Sequence, residues 1–421
     1  MKTHVLTLIA LLLPLGAVAQ WWTALGDSTL NSLERQALDA NYDVSAAMHR
    51  VAAAQRQLSA VRAGYFPTVG LEAGWAKEAR HEPSMWNLGA TMSWEIDLFG
   101  RVYENQKQRK AQIRASRADL EGAQLSVAAS VAQSYIALCS ARERLALARQ
   151  QADDQKKVAN MVQVRYDTGL SDRLDLSQAL TTYYSTCASV PPLETAVVKS
   201  LSALAVLLGV RPDSLGRSLD VAAALPAETN VVLPMEVPYD DLRTRPDVLA
   251  AEAQIDVAAA SLGIAKKDYL PSLALTGSVA TTHHSLNKLF TDESFSYSIA
   301  PTLTWTLFDG LARRANVAAA REEMEAAIDS YRQAVLSGAE ELRNALTDFE
   351  NSRQAVELTA KTVEQADLAM EKSIALYKLD LTTFTTVMQS QMSELTYRTQ
   401  LIEMRAAVLN AFVDFHRALG H

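Results

Sequence analysis

Two adjacent histidines, His283 and His284, are the side chains of this 421-residue chain whose type and spacing come nearest to a metal-binding or proton-transfer group. A transition metal would need further ligands, such as cysteines or carboxylates at ligand spacing. Their neighbours are Thr282 and Ser285, so we interpret the pair as part of a solvated loop. The sequence also lacks G-x-S-x-G, P-loop and G-x-G-x-x-G motifs in the required context. It therefore predicts no metal site, no cofactor and no enzymatic activity.

The only cysteines are Cys139 and Cys187. They lie on either side of a predicted helical turn near Gly169. In an antiparallel helix pair they would be about 20 Å apart, which is too far for a disulfide. Both are predicted to be packed thiols.

A second set of residues with suggestive spacing lies where a long helical pattern breaks after Tyr166. The break has the sequence Asp167-Thr168-Gly169-Leu170-Ser171. Gly169 can adopt the left-handed conformation that ends a helix, and Ser171 or Asp172 can cap the next helix. Asp175 would face the exposed N–H groups of that helix, a favourable contact of about 0.3 to 1 kcal/mol. These residues predict a tight turn between two long helices.

The helix before this turn organises the chain. It runs from Arg101 to about Tyr166 without proline, which predicts a length of roughly 100 Å. Its apolar and small residues recur with a seven-residue period, which predicts close packing along a supercoiled seam. The seam consists of Val127, Val131, Ser134, Leu138, Ala141, Leu145, Ala148 and Ala152, with a parallel seam of Ala128, Ala132, Tyr135 and Cys139. Two seams fit a hollow cylinder of helices, and a solid antiparallel bundle remains an alternative.

The chain contains an internal duplication. Trp94 matches Trp305, and from this pair onward equivalent positions are separated by 211 residues, as in Tyr166 and Tyr377. The matched segments include Asp97-Leu98-Phe99-Gly100 with Leu307-Phe308-Asp309-Gly310, and Leu208-Gly209 with Leu419-Gly420. The second long helix, Leu311 to Tyr377, repeats the seam as Leu342, Ala345, Phe349, Ser352, Val356, Thr359 and Val363.

The duplication predicts the domain organisation and the second turn. Residues 20–210 form a first repeat, 211–238 a proline-containing connector, and 239–421 a second repeat. Asp380 takes the place of Gly169 in the second turn, a rarer choice for left-handed backbone. Pro191-Pro192 predicts a kink or short break in the first return helix.

Each repeat also predicts two strands that alternate apolar and small polar residues. The strands are Thr68 to Trp75, Trp86 to Leu98, Ser272 to Thr281 and Phe295 to Leu307. Four tryptophans lie near strand ends, as expected for membrane-interface aromatics: Trp75, Trp86, Trp94 and Trp305. This pattern fits a membrane barrel with a wet lumen, and a soluble sandwich is the alternative. Four strands cannot close in lipid, so a barrel requires two, three or four copies of the chain.

Residues 1–19 resemble a secretory signal peptide. Lys2 precedes an apolar run, and Ala17-Val18-Ala19 supplies an A-x-A cleavage site. No later apolar run approaches 18 residues, so no membrane-spanning helix is predicted in the mature chain. The net charge is −8 with both signs interspersed, which gives no footprint for nucleic acid.

These motifs together resemble the outer-membrane efflux proteins, the TolC-like outer-membrane factors of Gram-negative bacteria, in the branch that serves resistance-nodulation-division (RND) pumps. The motifs include Tyr65-Phe66-Pro67, Tyr269-Leu270-Pro271, Arg243-Thr244-Arg245-Pro246-Asp247, Ala250-Ala251-Glu252-Ala253 and Leu204-Ala205-Val206-Leu207-Leu208-Gly209, besides the repeat matches above. The resemblance implies an α+β membrane protein. The resemblance further implies a homotrimer, whose 12-stranded β-barrel in outer-membrane lipid continues into a 12-helix periplasmic α-barrel. The implied role is a passive exit duct joined by a periplasmic adaptor to an inner-membrane RND-type transporter.

The resemblance also implies a gate at the helical turns. A tyrosine of the second turn bonds an aspartate of the first, and these match Tyr377 and Asp175. A further tie uses an arginine where this chain has Thr382, and the constriction carboxylates fall at Thr386 and Gln389, so both features are in doubt. The lipid-modified cysteine of many members is replaced by Gln20 after the cleavage site.

Other roles remain open. They are a duct for secreted proteins or metal ions, a non-conducting trimer that tethers the outer membrane to the periplasm, and a surface adhesin. The short predicted strand connections are unlike those of an adhesin.

Overall fold

A computed structural model describes residues 20–77, 84–218, 224–227, 231, 233–234 and 239–420. The predicted signal peptide lies outside these residues, as does much of the predicted connector. The chain divides into two compact units. The first comprises Met1–Ala46, Glu121–Arg245 and Leu336–His421, and the second comprises Ala47–Leu120 and Pro246–Val335.

The order of elements follows the predicted duplication. The helices are α1 (Ser28–Ala40), α2 (Tyr42–Ala63), α3 (Arg101–Asp167), α4 (Arg173–Leu207), α5 (Pro212–Ser218), α6 (Pro246–Lys267), α7 (Ala312–Lys378) and α8 (Phe384–Leu419). The strands are β1 (Thr68–Ala76), β2 (Met85–Ile96), β3 (Ser272–His283) and β4 (Phe295–Thr304). A 3-10 helix, Tyr239–Thr244, precedes α6.

The seam predicted in α3 is largely buried in the first unit. Its buried members are Val127, Val131, Leu138, Ala141 and Ala148, and Ala128, Ala132, Tyr135 and Cys139 of the parallel seam are almost inaccessible. On α7, Leu342, Ala345 and Phe349 are buried, whereas Ser352, Val356, Thr359 and Val363 are only half-buried. The second seam is therefore incompletely covered within one chain.

A buried polar contact fixes the start of α1. Asp27 caps the helix by accepting hydrogen bonds from the Thr29 and Leu30 amides at 2.8 and 3.1 Å. Its other oxygen accepts the Tyr135 hydroxyl of α3 at 2.6 Å. Burial raises the pKa of the neighbouring Cys139 thiol to about 11, and both cysteines are free thiols as predicted.

The two repeats close their return helices with equivalent contacts. In the first repeat, the Asn41 side chain donates from Nδ2 to the carbonyl of Leu207 at 2.9 Å. In the second repeat, the Arg245 guanidinium donates to the carbonyl of Ala418, the position equivalent to Leu207. Each accepting carbonyl lies two residues before a left-handed glycine, Gly209 or Gly420. The two repeats thus form equivalent joints between a short helix and a return helix, with chemically different donors.

Replacing Gly209 with alanine is expected to destabilise the protein. Gly209 has φ +67°, and a Cβ added there would lie 2.6 Å from the carbonyl oxygen of Ala40. We expect a loss of about 1 to 3 kcal/mol, measured as a lower melting temperature. The control is Gly169→Ala, because Gly169 has a similar φ of +74° and no atom within 4 Å of an added Cβ. Equal losses at both positions would show that backbone strain alone matters.

The four strands form one antiparallel sheet in the order β1-β2-β3-β4. Among the described strands, β1 and β4 each have a partner on one side only. Large apolar side chains of these strands are exposed, including Val69, Leu71, Tyr297, Ile299 and Leu303. Open edges and an uncovered apolar face require either lipid or further copies of the chain, as the sequence predicted.

The long helices begin at capped turns within the second unit. Asp97 accepts hydrogen bonds from the Val102 and Tyr103 amides at 3.0 Å each, and Asp309 accepts from the amide of Arg313 at 3.1 Å. The matched sequence segments paired Gly100 with Gly310, but the 211-residue register pairs Gly100 with Leu311. These two residues share left-handed φ angles of +76° and +72°. Gly310, with φ +66°, is left-handed as well, so both Gly310 and Leu311 share the conformation of Gly100.

The sequence predicted a kink or a short break at Pro191-Pro192, and the break is absent because helix α4 continues through both prolines. The Thr195 hydroxyl donates to the Pro191 carbonyl at 3.0 Å. A side-chain hydrogen bond to the carbonyl four residues earlier often bends a helix, so the kink stays a prediction.

Two helices, α4 and α6, are long and apolar enough to cross a membrane by length and composition alone. This differs from the sequence prediction, which counted uninterrupted apolar runs. A high mean hydropathy over 18 residues is compatible with scattered polar residues. Alanine-rich helices that pack against other helices in a protein core therefore also reach it. Length and composition are weak evidence that either helix spans a membrane.

Candidate functional site

The first helical turn is closed by backbone hydrogen bonds. The Leu170 amide donates to the Arg165 carbonyl at 2.8 Å and the Gly169 amide to the Tyr166 carbonyl at 3.0 Å. This pair of bonds is a Schellman motif, which requires a left-handed residue at Gly169. The predicted conformation of Gly169 is present, with φ +74°.

The second turn repeats this motif with a different residue at its centre. The Leu381 amide donates to the Leu376 carbonyl at 3.0 Å and the Asp380 amide to the Tyr377 carbonyl at 3.2 Å. Asp380 has φ +57° and occupies the position of Gly169. The two turns therefore have the same backbone and differ in charge.

Asp172, rather than Ser171, caps helix α4. Its carboxylate accepts the Asp175 amide at 2.8 Å. The Asp175 carboxylate instead accepts the Ser171 hydroxyl at 2.9 Å and the Tyr377 hydroxyl at 3.4 Å, both at Oδ2. The structure thus brings Asp175 and Tyr377 together, and capping of α4 does not depend on the Asp175 side chain.

The Tyr377 ring is held in an apolar cluster beneath the turns. The ring is 4 % exposed and lies 5.5 Å from the ring of Phe384. The buried members of the cluster also include Val158, Ala159, Val162, Leu176, Ala179 and Val387. The cluster joins all four long helices of the first unit, so it fixes the direction of the Tyr377 hydroxyl.

Sequence reasoning missed Arg165. Its guanidinium donates to the Asp380 carboxylate and to the Leu170 carbonyl, the latter at 3.3 Å, and lies 5.0 Å from the centre of the Tyr377 ring. One signal in the sequence could have identified Arg165. It lies one turn before Gly169, and Asp380 occupies the position equivalent to Gly169 in the second turn, so the two side chains carry opposite charges.

The remaining residues predicted at the turns are near the site but make fewer contacts with it. The Arg173 guanidinium lies 6.0 Å from the Tyr166 ring, and Asp167 accepts the Gln163 amide at 2.9 Å. Thr382 is half-buried at the turn. Thr386 and Gln389 line an open groove of about 340 Å³ with Gln365, Ser390 and Ser393. The lining of this groove carries no carboxylate among the described residues.

The predicted interface tryptophans lie in or beside the sheet. Trp75 and Trp86 are directly opposite in the β1–β2 register, with ring centroids 6.3 Å apart. Trp94 pairs with Leu275, and Trp305 donates from Nε1 to the Tyr269 carbonyl at 3.1 Å. Their role at a membrane interface stays a prediction.

His283 and His284 lie at the end of β3 and in the following loop. His283 accepts the Ser285 amide at Nδ1, at 2.9 Å. Within the described ranges, no group of three or more histidine, cysteine, aspartate or glutamate side chains is placed to hold a metal ion.

The chain matches a family of known proteins over most of its length. The family described as "Outer membrane efflux protein" matches residues 33–210 and 237–421. This chain belongs to the outer membrane efflux protein family. The match confirms the family suggested by the sequence.

Individual relatives of this efflux protein are distant but extend over nearly its whole length. The pyoverdine export outer membrane protein OpmQ of Pseudomonas aeruginosa is 26 % identical over 96 % of this chain and 87 % of its own. The outer membrane protein OprJ of the same species is 27 % identical, covering 95 % and 85 %. The solved structure of the outer-membrane channel OprN has a TM-score of 0.85 and 28 % identity, covering 95 % of this chain and 92 % of that one.

Family and fold establish what kind of protein this is. It is a non-enzymatic efflux channel of the Gram-negative outer membrane that extends into the periplasm. Its TolC-like fold has four antiparallel strands and long helical hairpins in each chain, and the family forms trimeric channels in tripartite pumps. A soluble sandwich, a tether and an adhesin are thereby excluded.

Proposed function

We propose that this efflux protein is the passive exit duct for small molecules in a tripartite pump. It acts as a homotrimer, receiving its cargo from an inner-membrane RND-type transporter through a periplasmic adaptor. The contact between Tyr377 and Asp175 supports this role most directly, because it joins the two helical turns where a duct of this fold needs a gate. The relative OpmQ exports pyoverdine, which supports a small-molecule cargo.

The duct supplies no energy of its own. Transport is driven by the transporter, and the channel contributes a path whose opening is controlled. Opening requires the two turns of each chain to separate, because the cluster around Tyr377 holds both at once. A hydrogen bond of 3.4 Å across this junction is weak enough to be broken by a docking partner.

The duct is tested by planar-bilayer conductance of the purified protein together with drug susceptibility of a deletion strain. We expect small, brief conductance steps from the closed protein and increased susceptibility after deletion. Co-purification with an adaptor and an RND-type transporter would identify the partners. A trimer that never conducts and whose deletion leaves export unchanged would contradict the proposal.

Tyr377→Phe is expected to increase the open population of the channel. The substitution retains the ring in its apolar cluster and removes the hydroxyl that donates to Asp175. Loss of one such bond, about 1 kcal/mol, corresponds to an increase of about fivefold in each chain. The increase is measured as conductance and as susceptibility to large antibiotics.

The matched control is Tyr166→Phe, because Tyr166 holds the equivalent position in the first repeat and its ring faces Arg173. Its conductance should remain at the wild-type value. Unchanged conductance in Tyr377→Phe would show that the tyrosine is a packing residue and not a latch.

A further inference from the structure

Arg165 contacts both helical turns at once. Its side chain is 15 % exposed, although the carboxylate that it meets on Asp380 is 68 % exposed. It also donates to the Leu170 carbonyl of its own turn and lies over the ring of Tyr377. A single side chain thus joins the backbone of the first turn, the carboxylate of the second turn and the tyrosine between them.

We propose that Arg165 is the positioning residue of the closed gate. Its ion pair with Asp380 holds the second turn against the first, and its contact with the Tyr377 ring directs the tyrosine hydroxyl toward Asp175. This inference rests on the proposed function of the turns as a gate. The ion pair between Arg165 and Asp380 takes the place of the contact that an arginine at position 382 would make, because Thr382 is uncharged.

The backbone of Asp380 gives independent support. A left-handed conformation is unfavourable for a residue with a Cβ, and the first turn uses glycine at the same position. Aspartate is one of the few residues with a Cβ that adopts this conformation, because its short polar side chain can make a local contact. The carboxylate of Asp380 meets the guanidinium of Arg165.

Substitutions of Asp380 separate a gating role from a structural one. Asp380→Gly removes the carboxylate and also relieves the left-handed strain. We therefore expect its melting temperature to equal or exceed that of the wild type, while its open population rises about fivefold in each chain. Asp380→Asn should open the channel similarly without the gain in stability. A merely structural pair would change stability and leave conductance unaltered.

The control for charge is Glu357→Gln, which breaks the exposed ion pair with Lys361 on α7 and changes the net charge as Asp380→Asn does. Its conductance should stay at the wild-type value. Because Asp380 is exposed, the wild-type open population should also rise with salt, whereas that of Asp380→Asn should depend on salt less strongly.

A charge exchange provides the last test. Arg165→Glu should open the channel, and Arg165→Glu combined with Asp380→Arg should close it partly again. If Tyr377→Phe opens the channel while Asp380→Gly and Asp380→Asn do not, the Arg165 proposal is wrong and the duct remains. If no variant conducts, the duct proposal is wrong, and the proposed gate with it.

Discussion

Glu34→Gln is expected to raise the melting temperature of the protein strongly at pH 8 and only slightly at pH 5. Glu34 lies on α1 with an exposed fraction of 0 %. Neither of its carboxylate oxygens has a hydrogen-bond partner among the described residues. A buried charge without a partner is very unfavourable, so the folded protein holds this side chain in its neutral form.

The pH dependence follows from the proton on Glu34. Burial raises the pKa of its carboxyl from 4.5 to about 9. Between these values the unfolded chain has released the proton and the folded chain has not, so the free energy of unfolding falls as the pH rises. The loss reaches on the order of 4 kcal/mol at pH 8. Glutamine has the same shape and cannot ionise, so the variant avoids this loss.

The measurement is thermal unfolding of the detergent-solubilised protein at pH 5 and pH 8. Glu357→Gln is the matched control, because Lys361 lowers the pKa of Glu357 at the surface. Stabilisation from a lowered pKa is present at neutral pH and lost on acidification, so this control should not gain stability at pH 8. A shift for Glu34→Gln that is equal at both pH values would contradict a buried neutral carboxyl.

Arg245→Met is expected to cause a loss of stability of about the same size as that of Gly209→Ala. The Arg245 side chain is buried, donates to the Ala418 carbonyl at the end of α8, and bonds Glu341 of α7 at 2.8 Å. Removing it leaves that carbonyl without its guanidinium donor in the interior. We expect a loss of about 1 to 3 kcal/mol, the cost of leaving a buried acceptor without its donor.

The packing around Arg245 leaves little room for adjustment. A Cβ on Gly338 would lie 3.0 Å from its Nε, and a Cβ on Gly420 would lie 2.8 Å from its Cα. Arg353→Met is the control, since Arg353 is an exposed arginine on α7; its effect should stay within about 0.5 kcal/mol. The readouts are the melting temperature and the yield of assembled trimer in the outer membrane. Equal effects of the two substitutions would contradict this role for Arg245.

Local patterns in the sequence were sufficient for most elements of the fold. The caps at Asp27 and Asp172 and the left-handed residues Gly169 and Asp380 depend on a few neighbouring residues, so they could be assigned from sequence. The seam of α3 was readable because its period repeats over many turns. Alternation over about ten residues likewise specified strands, with ends that differ from the prediction by a few residues.

Contacts between distant residues required the tertiary structure. The opposite charges of Arg165 and Asp380 do not by themselves place the two side chains in contact, and nothing in α1 indicates that Glu34 is buried without a hydrogen-bond partner among the described residues. The equivalent joints made by Asn41 and Arg245 use chemically different side chains, so the duplication alone did not reveal them.

By itself, the sequence determined the repeated plan of short helix, hairpin and long helical pair, and the need for other copies to cover the strand edges. Periodicity, capping and backbone hydrogen bonding act over short distances, which is why they can be read along the chain. Only the tertiary structure decided which charged groups meet at the turns and which are buried. Those outcomes depend on the packing of helices that are far apart in sequence.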